Sequence, residues 1–178
     1  RLPGAEPNNV HAHVGGWEVV AVMKPGPGRF CFVGSDGAGR CLDEGEASQL
    51  LEEVAQDLEH LGLARRAGGD VLIDAHGLVG LAPSCYVFAR GAYEDMGVLD
   101  GFRSEARKNP RFWAIATLIN CVESELAVRR LDYGIEAGRA AKFDDKYHLV
   151  LASLLHAALD KPPYADILTG MFRKVFGV

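Results

Sequence analysis

The sequence predicts an α+β fold, in which an N-terminal antiparallel sheet of four to five short strands with one amphipathic helix precedes a C-terminal helical bundle. Three observations carry this prediction. Residues 16–42 contain short β-branched and aromatic runs between Gly and Pro turns, and residues 43–62 and 109–131 repeat apolar residues at helical spacing. Strands followed by a run of helices are typical of the α+β class.

The first strands are predicted over residues 16–23 and 29–33, with a short third strand over 40–42. The first strand has apolar residues on both faces, so the sheet needs cover on both sides, from the helices or from a partner chain. The Pro-Gly-Pro-Gly run at 25–28 has the spacing of neither common phosphate loop, and a hairpin turn explains it.

The helix at 43–62 is predicted from its ends as well as its periodicity. Asp43 and Glu46 resemble a capping box, and Gly62 can close the helix. Residues 70–82 predict a second hairpin that turns at residues 74–77 and places His76 in the turn. Residues 83–101, which three glycines interrupt, are interpreted as the joint between the two halves of the chain.

The longest predicted helix covers residues 109–131 and is the expected centre of the bundle. Asn109 is a good N-cap, and Pro110 suits the first helical position, where its missing N–H costs nothing. Two more amphipathic helices follow, one capped by Asp145 and one after Pro162-Pro163, and short loops favour antiparallel packing. We expect one α+β unit over 1–83 and a helical unit over 84–178, or one compact domain. The residues expected to be most buried are Phe112, Ile115, Ile119 and Val122.

Composition indicates an ordinary globular chain. The 178 residues are 48% hydrophobic and 24% charged, with a net charge of −5. Residues 1–90 carry 7 Lys and Arg against 12 Asp and Glu, whereas residues 91–178 carry 12 of each, so charge alone does not predict nucleic-acid binding. We expect no membrane span and a cytoplasmic location. The chain begins at Arg1 rather than Met, so we also expect N-terminal residues to be missing, among which a signal peptide could have been removed.

The four cysteines form no metal-binding motif, and reduced thiols are the default expectation for a cytoplasmic protein. One pair leaves two alternatives open. Cys31 and Cys41 are equidistant from Asp36, so an odd-length hairpin loop would place them opposite each other. A two-residue loop at Asp36-Gly37 would instead pair Cys41 with Phe32 and exclude a bridge.

Candidate catalytic and metal-binding residues do not form a complete site in the sequence. His11 and His13 lack a third ligand nearby, and Asp144 and His148 are four residues apart on one helix without a Glu-x-x-His motif. Ser84-Cys85 is a nucleophile pair without a neighbouring base. His156 lies among leucines and is interpreted as a structural histidine. The sequence therefore predicts no cofactor and no metal.

A basic cluster is the one predicted partner-binding surface. Arg103, Arg107 and Arg111 share a helical face beside Lys108, and Arg129 and Arg130 follow in the second half of the long helix. Pairing with nearby carboxylates is the competing interpretation.

The hypothesis that we favour is a non-enzymatic interaction or regulatory protein that acts through its surfaces or as a homodimer, with a protein partner or a second copy bound. A small enzyme whose site is assembled from distant residues, around Ser84, Cys85, Asp144 and His148, is the first alternative. A nucleic-acid-associated protein that uses the basic cluster is the second.

Overall fold

The structure is a computed structural model that describes residues 12–14, 17–26, 29–34, 39–67, 70–132 and 145–178, with side chains placed at most positions from 49 onward. The strands are β1 (Ala12–Val14), β2 (Trp17–Gly26), β3 (Arg29–Gly34), β4 (Gly39–Asp43), β5 (Ala64–Ala67) and β6 (Asp70–Ile73). The helices are α1 (Glu44–His60), α2 (Ala75–Asp95), α3 (Leu99–Lys108), α4 (Pro110–Asp132), α5 (Asp145–Leu159) and α6 (Tyr164–Phe176).

The predicted α+β fold class is wrong. Among the residues whose side chains the structure places, 83% are helical, and their sheet is the two-stranded ladder of β5 and β6. The backbone of β1–β4 pairs antiparallel in chain order, and β5–β6 form a separate ladder in which Ala64 lies opposite Ile73. Of the predicted second hairpin, the first strand exists as β6, but the second strand does not, because residues 75–82 belong to α2. Helix packing therefore dominates the described part of the molecule.

Asp74 explains why the predicted hairpin at 70–82 is a helix instead. The same Asp and Gly residues that favour a turn also begin helices, and here the Asp74 carboxylate accepts a hydrogen bond of 3.0 Å from the Gly77 N–H as the N-cap of α2. The hairpin lies earlier in the chain, where Ala67 of β5 faces Asp70 of β6. Residues 83–101, interpreted as the joint between the two halves, lie mostly within α2 and α3, and their role as a boundary stays a prediction.

Tyr86 anchors α2 to the rest of the bundle and compensates for Pro83 inside the helix. Proline lacks an N–H and costs stability in a helix interior, so tertiary contacts must hold this segment helical. The Tyr86 side chain is fully buried, its hydroxyl donates a 2.7 Å hydrogen bond to the Ala114 carbonyl of α4, and its ring packs edge-on against Phe172 of α6. Burial also raises the pKa of Tyr86 far above its usual value, so the hydroxyl stays protonated.

The cap at Asp74 gives a matched pair of glycine substitutions, because Gly77 and Gly101 are each the third residue of a helix. A Cβ at Gly101 would meet nothing within 4 Å, whereas one at Gly77 would lie 2.6 Å from the Asp74 carboxylate. We expect Gly101→Ala to raise the free energy of unfolding by about 0.5–1 kcal/mol. Gly77→Ala gains the same propensity but displaces the cap, so it should be less stable than Gly101→Ala by about 1 kcal/mol. Urea unfolding measures both, and equal stabilities would contradict the role of the cap.

The two helices predicted from periodicity and capping are confirmed. Helix α1 ends before Gly62, which has a left-handed backbone with φ of 72°, and buries Val54 and Leu58 completely. In α4, Ile115, Ile119 and Val122 are buried as predicted, whereas Phe112 is only half-buried. Helix α4 packs against α2, α3, α5 and α6, so it is the central helix of the bundle.

Helix α5 is fixed to its neighbours by two polar contacts. The Tyr147 hydroxyl donates a 2.6 Å hydrogen bond to the Asp57 carboxylate of α1, and the imidazole of His148 pairs with the carboxylate of Glu123 of α4. His156, on the same helix, was interpreted as a partly buried structural histidine, and the structure buries it. The proposed division of the chain at 83/84 stays a prediction, although α2 runs across that point.

Backbone register selects between the two alternatives for Cys31 and Cys41. The Cα atoms of these residues are direct partners in the β3–β4 ladder, and Phe32 lies opposite Arg40. This is the odd-length alternative, the one that places the two cysteines opposite each other. Their side chains lie outside the described part, so a bridge between them stays a prediction that thiol titration can check.

Across the ranges that the structure describes, no helix combines the length and apolar character that crossing a membrane requires.

Candidate functional site: an apolar cleft between α2 and α4

The exposed side of α2 has almost no charge. Between residues 75 and 92 the sole Asp, Glu, Lys or Arg is Arg90, and its guanidinium turns inward to donate a hydrogen bond to the Val175 carbonyl of α6. Three large apolar side chains on this helix nevertheless face solvent. They are Leu81, Val87 and Phe88, with exposed fractions of 41%, 63% and 76%. Helices on a solvated surface normally carry charged residues there, so exposed apolar residues without charged neighbours are unusual for such a surface.

A cleft of about 650 Å³ opens beside this surface, between α2 and α4. Leu81, Phe88 and Ala92 line it from α2, and Leu118 and Val122 line it from α4. On α2 these positions follow one another at intervals of four and seven residues, so they form one face of the helix. The volume and the apolar lining are within the range of the pockets in which proteins bind small ligands.

A disulfide between Cys85 and Cys121 crosses the wall of the cleft and ties α2 to α4. The two Cα atoms are 6.0 Å apart, and both cysteines line the cleft. The expectation of reduced thiols is therefore wrong for this pair. The bridge also engages the Sγ of Cys85, so this residue offers no thiolate nucleophile.

The two serine hydroxyls that line the cleft are engaged within their own helices. The Ser84 hydroxyl donates to the Leu81 carbonyl at 3.2 Å, and the Ser124 hydroxyl donates to the Asn120 carbonyl at 3.0 Å. Both hydroxyl protons are thus directed at carbonyls of their own helices rather than at a general base. Among the described residues that line the cleft, Glu125 alone is charged.

The structure does not assemble the predicted nucleophile and base in this cleft. Ser84 and Cys85 line it, but His148 does not, since its imidazole lies between α4 and α5 against Glu123. Asp144 lies outside the described residues. His76 is not in a turn as predicted but in the first turn of α2, where its ring packs edge-on against Tyr164.

The structure adds no further ligand to the candidate metal ligands of the sequence within the residues that it describes. Within the described ranges, no group of three or more His, Cys, Asp or Glu side chains is placed to hold a metal ion. His11 and the side chain of His13 lie outside those ranges.

Three residues of the predicted basic cluster have individual partners. Arg103 donates a 2.7 Å hydrogen bond to the Phe176 carbonyl, Lys108 pairs with Glu105 at 3.1 Å, and Arg111 pairs with Asp160 at 2.8 Å. Arg107 is exposed, and the side chains of Arg129 and Arg130 lie outside the described part. Exposed pairs of this kind leave a cation accessible, so partner binding at this cluster stays a prediction.

The exposed residues Leu81, Val87 and Phe88 were missed in the sequence because α2 was missed. A signal was present, however. Leu78, Ala82, Tyr86 and Ala89 recur at helical spacing and are all buried, and one charged residue in eighteen is unusual for a helix with an open side.

Comparison with known proteins finds no relative, since no family model, no curated protein and no solved structure matches the chain.

Proposed function

We propose that this chain is a non-enzymatic interaction protein that binds another protein chain through the exposed surface of α2 and the adjoining cleft. We call this surface the α2 surface and define it by Leu81, Ser84, Val87 and Phe88. The observation that carries the proposal is the exposure of Phe88, at 76%, in a stretch of α2, residues 75–92, whose exposed positions include no Asp, Glu, Lys or Arg. Large aromatic side chains are enriched at protein interfaces and costly to leave in water.

The rigidity of the cleft supports the same function. The Cys85–Cys121 bridge links its two walls, and Tyr86 fixes α2 to α4 one residue further along. A wall held in this way loses little conformational freedom when a partner binds, and this preorganisation favours affinity.

Photo-cross-linking in the source cells tests the proposal. A benzophenone side chain replaces Phe88 in one variant and Ile167 in a control, because Ile167 is also an exposed apolar residue, at 45%, but lies on α6 outside the cleft. We expect adducts of discrete mass from position 88 and none of these from position 167. They should disappear when Ser124→Trp is added, since an indole on the α4 wall would obstruct the cleft.

Equal adduct patterns from positions 88 and 167, or no adduct from position 88, would contradict the proposed function. The mass of the adduct carries further information. An adduct with twice the mass of the chain identifies a second copy as the partner, and any other discrete mass identifies a different protein.

A further inference from the structure

We infer that the occupant of the cleft is a second copy of this chain, bound about a two-fold axis with Phe88 of each copy inserted into the cleft of the other. This inference rests on the proposed function and names its partner.

The α2 surface and the cleft beside it are complementary to each other. Phe88 projects into solvent from the rim of the cleft, so one surface of the molecule carries both a protruding aromatic ring and an apolar cavity. In a two-fold dimer the same patch is used by both partners, so a patch that binds itself must contain both parts. An aromatic side chain that fills an apolar pocket is also the usual anchor of an interface.

Charge is the second argument. A two-fold axis brings equivalent residues together, so any charge near the axis would face a like charge. The α2 surface limits this repulsion, because none of its four residues is charged and the exposed Glu94 and Asp95 on the same helix lie about 9 Å or more along its axis from Phe88. The chain as a whole carries a net charge of −5, so two copies repel each other at long range. An uncharged patch such as the α2 surface adds no further repulsion when two copies meet there.

The small residues beside the α2 surface allow two copies to approach closely. Gly80 lies one helical turn before Ser84, and Gly91 lies one turn after Val87, on the same side of α2. A Cβ at either glycine would meet nothing within 4 Å. The open space above them is thus available to a neighbouring backbone.

Sedimentation velocity of two complementary variants tests the inference. Phe88→Ala removes the protruding ring and leaves the α4 wall of the cleft unchanged, whereas Ser124→Trp obstructs the cleft from that wall and keeps the ring. We expect the wild type to form dimers within the range from about 1 µM to about 100 µM, and each variant alone to have a dissociation constant raised at least about 30-fold. An equimolar mixture should recover part of the dimer, because the intact ring of one variant can enter the intact cleft of the other.

Ile167→Ala is the matched control and should dimerise like the wild type, while circular dichroism confirms that every variant is folded. A wild type that stays monomeric throughout the range overturns the inference, and so does a mixture that dimerises no better than the separate variants. The cross-linking adducts still test the proposed function in that case. Failure of the inference can therefore be distinguished from failure of the proposed function. Association that continues beyond the dimer also overturns the inference, because a two-fold contact closes on itself.

Discussion

Replacing both Cys85 and Cys121 by alanine is expected to lower the free energy of unfolding by about 3 kcal/mol. The bridge joins residues 36 positions apart, so it restricts a long loop of the unfolded chain, and bridges of this span typically contribute 2–4 kcal/mol. Since domains of this size are stable by about 5–15 kcal/mol in total, the loss is large. Urea unfolding of the double variant and the wild type, with and without reductant, measures it.

The reductant arm supplies the control for this prediction. Reductant should destabilise the wild type by a similar amount, and any response that remains in the double variant must come from Cys31 and Cys41. Wild-type protein whose stability does not change while Cys85 and Cys121 become titratable would contradict a stabilising role for the bridge.

The second large effect is a loss of stability in mild acid caused by His156. Burial lowers the pKa of His156 to about 4 from its usual 6.5, although the nearby Asp160 carboxylate acts in the opposite direction. The ring stacks on Phe112 at 5.8 Å, and its Nε2 is buried without a hydrogen-bond partner. The cost of burying a charged ring outweighs the attraction of the Asp160 carboxylate, so the folded protein keeps the imidazole neutral.

The sign of the pH dependence follows from this depressed pKa. Below pH 6.5 the unfolded chain binds a proton on His156 that the folded chain excludes. The contribution of the neutral imidazole to stability is therefore fully present above pH 6.5 and is lost progressively toward pH 4. The full effect is about 3 kcal/mol, from about 1.4 kcal/mol per pKa unit. We expect His156→Leu to flatten the slope of unfolding free energy between pH 5 and pH 6.5, a window above most carboxylate titration.

The exposed His60 at the end of α1 provides the control for this measurement. His60→Gln should retain the wild-type pH slope. If His156→Leu and His60→Gln show the same slope as the wild type, burial of His156 is not the source of the acid sensitivity.

Local sequence signals were sufficient to predict the helices whose ends are marked by capping residues. Asn109-Pro110 and the stripe through Ile115 and Ile119 identify α4, because caps and periodicity act within a few residues of one another. Helix α2 carries the opposite signals, with Pro83 in its interior and Asp74 and Gly77 at its start. Its helical state depends on the burial of Tyr86 against Ala114 and Phe172, and contacts between such distant positions are not readable from local preference.

The candidate site was not predictable for the same reason. Cys85 and Cys121 become neighbours only because α2 and α4 pack side by side, and the cleft exists only between these helices. The exposure of Phe88 is likewise a tertiary property, since an apolar residue in a helical pattern is more often part of the core. The scarcity of charged residues between positions 75 and 92 was visible in the sequence, but its meaning depends on knowing the helix and its open side.

The environment of residue 88 tests the central claim most directly. Fluorine-labelled phenylalanine at position 88 reports whether its ring is in water or in an apolar cavity, through the change in its resonance between H₂O and D₂O. We expect a water-exposed resonance in dilute protein and a second, water-protected resonance that grows with protein concentration. The second resonance should be absent in the Ser124→Trp variant. A single exposed resonance at every concentration would contradict the insertion of Phe88 into the cleft of a second copy.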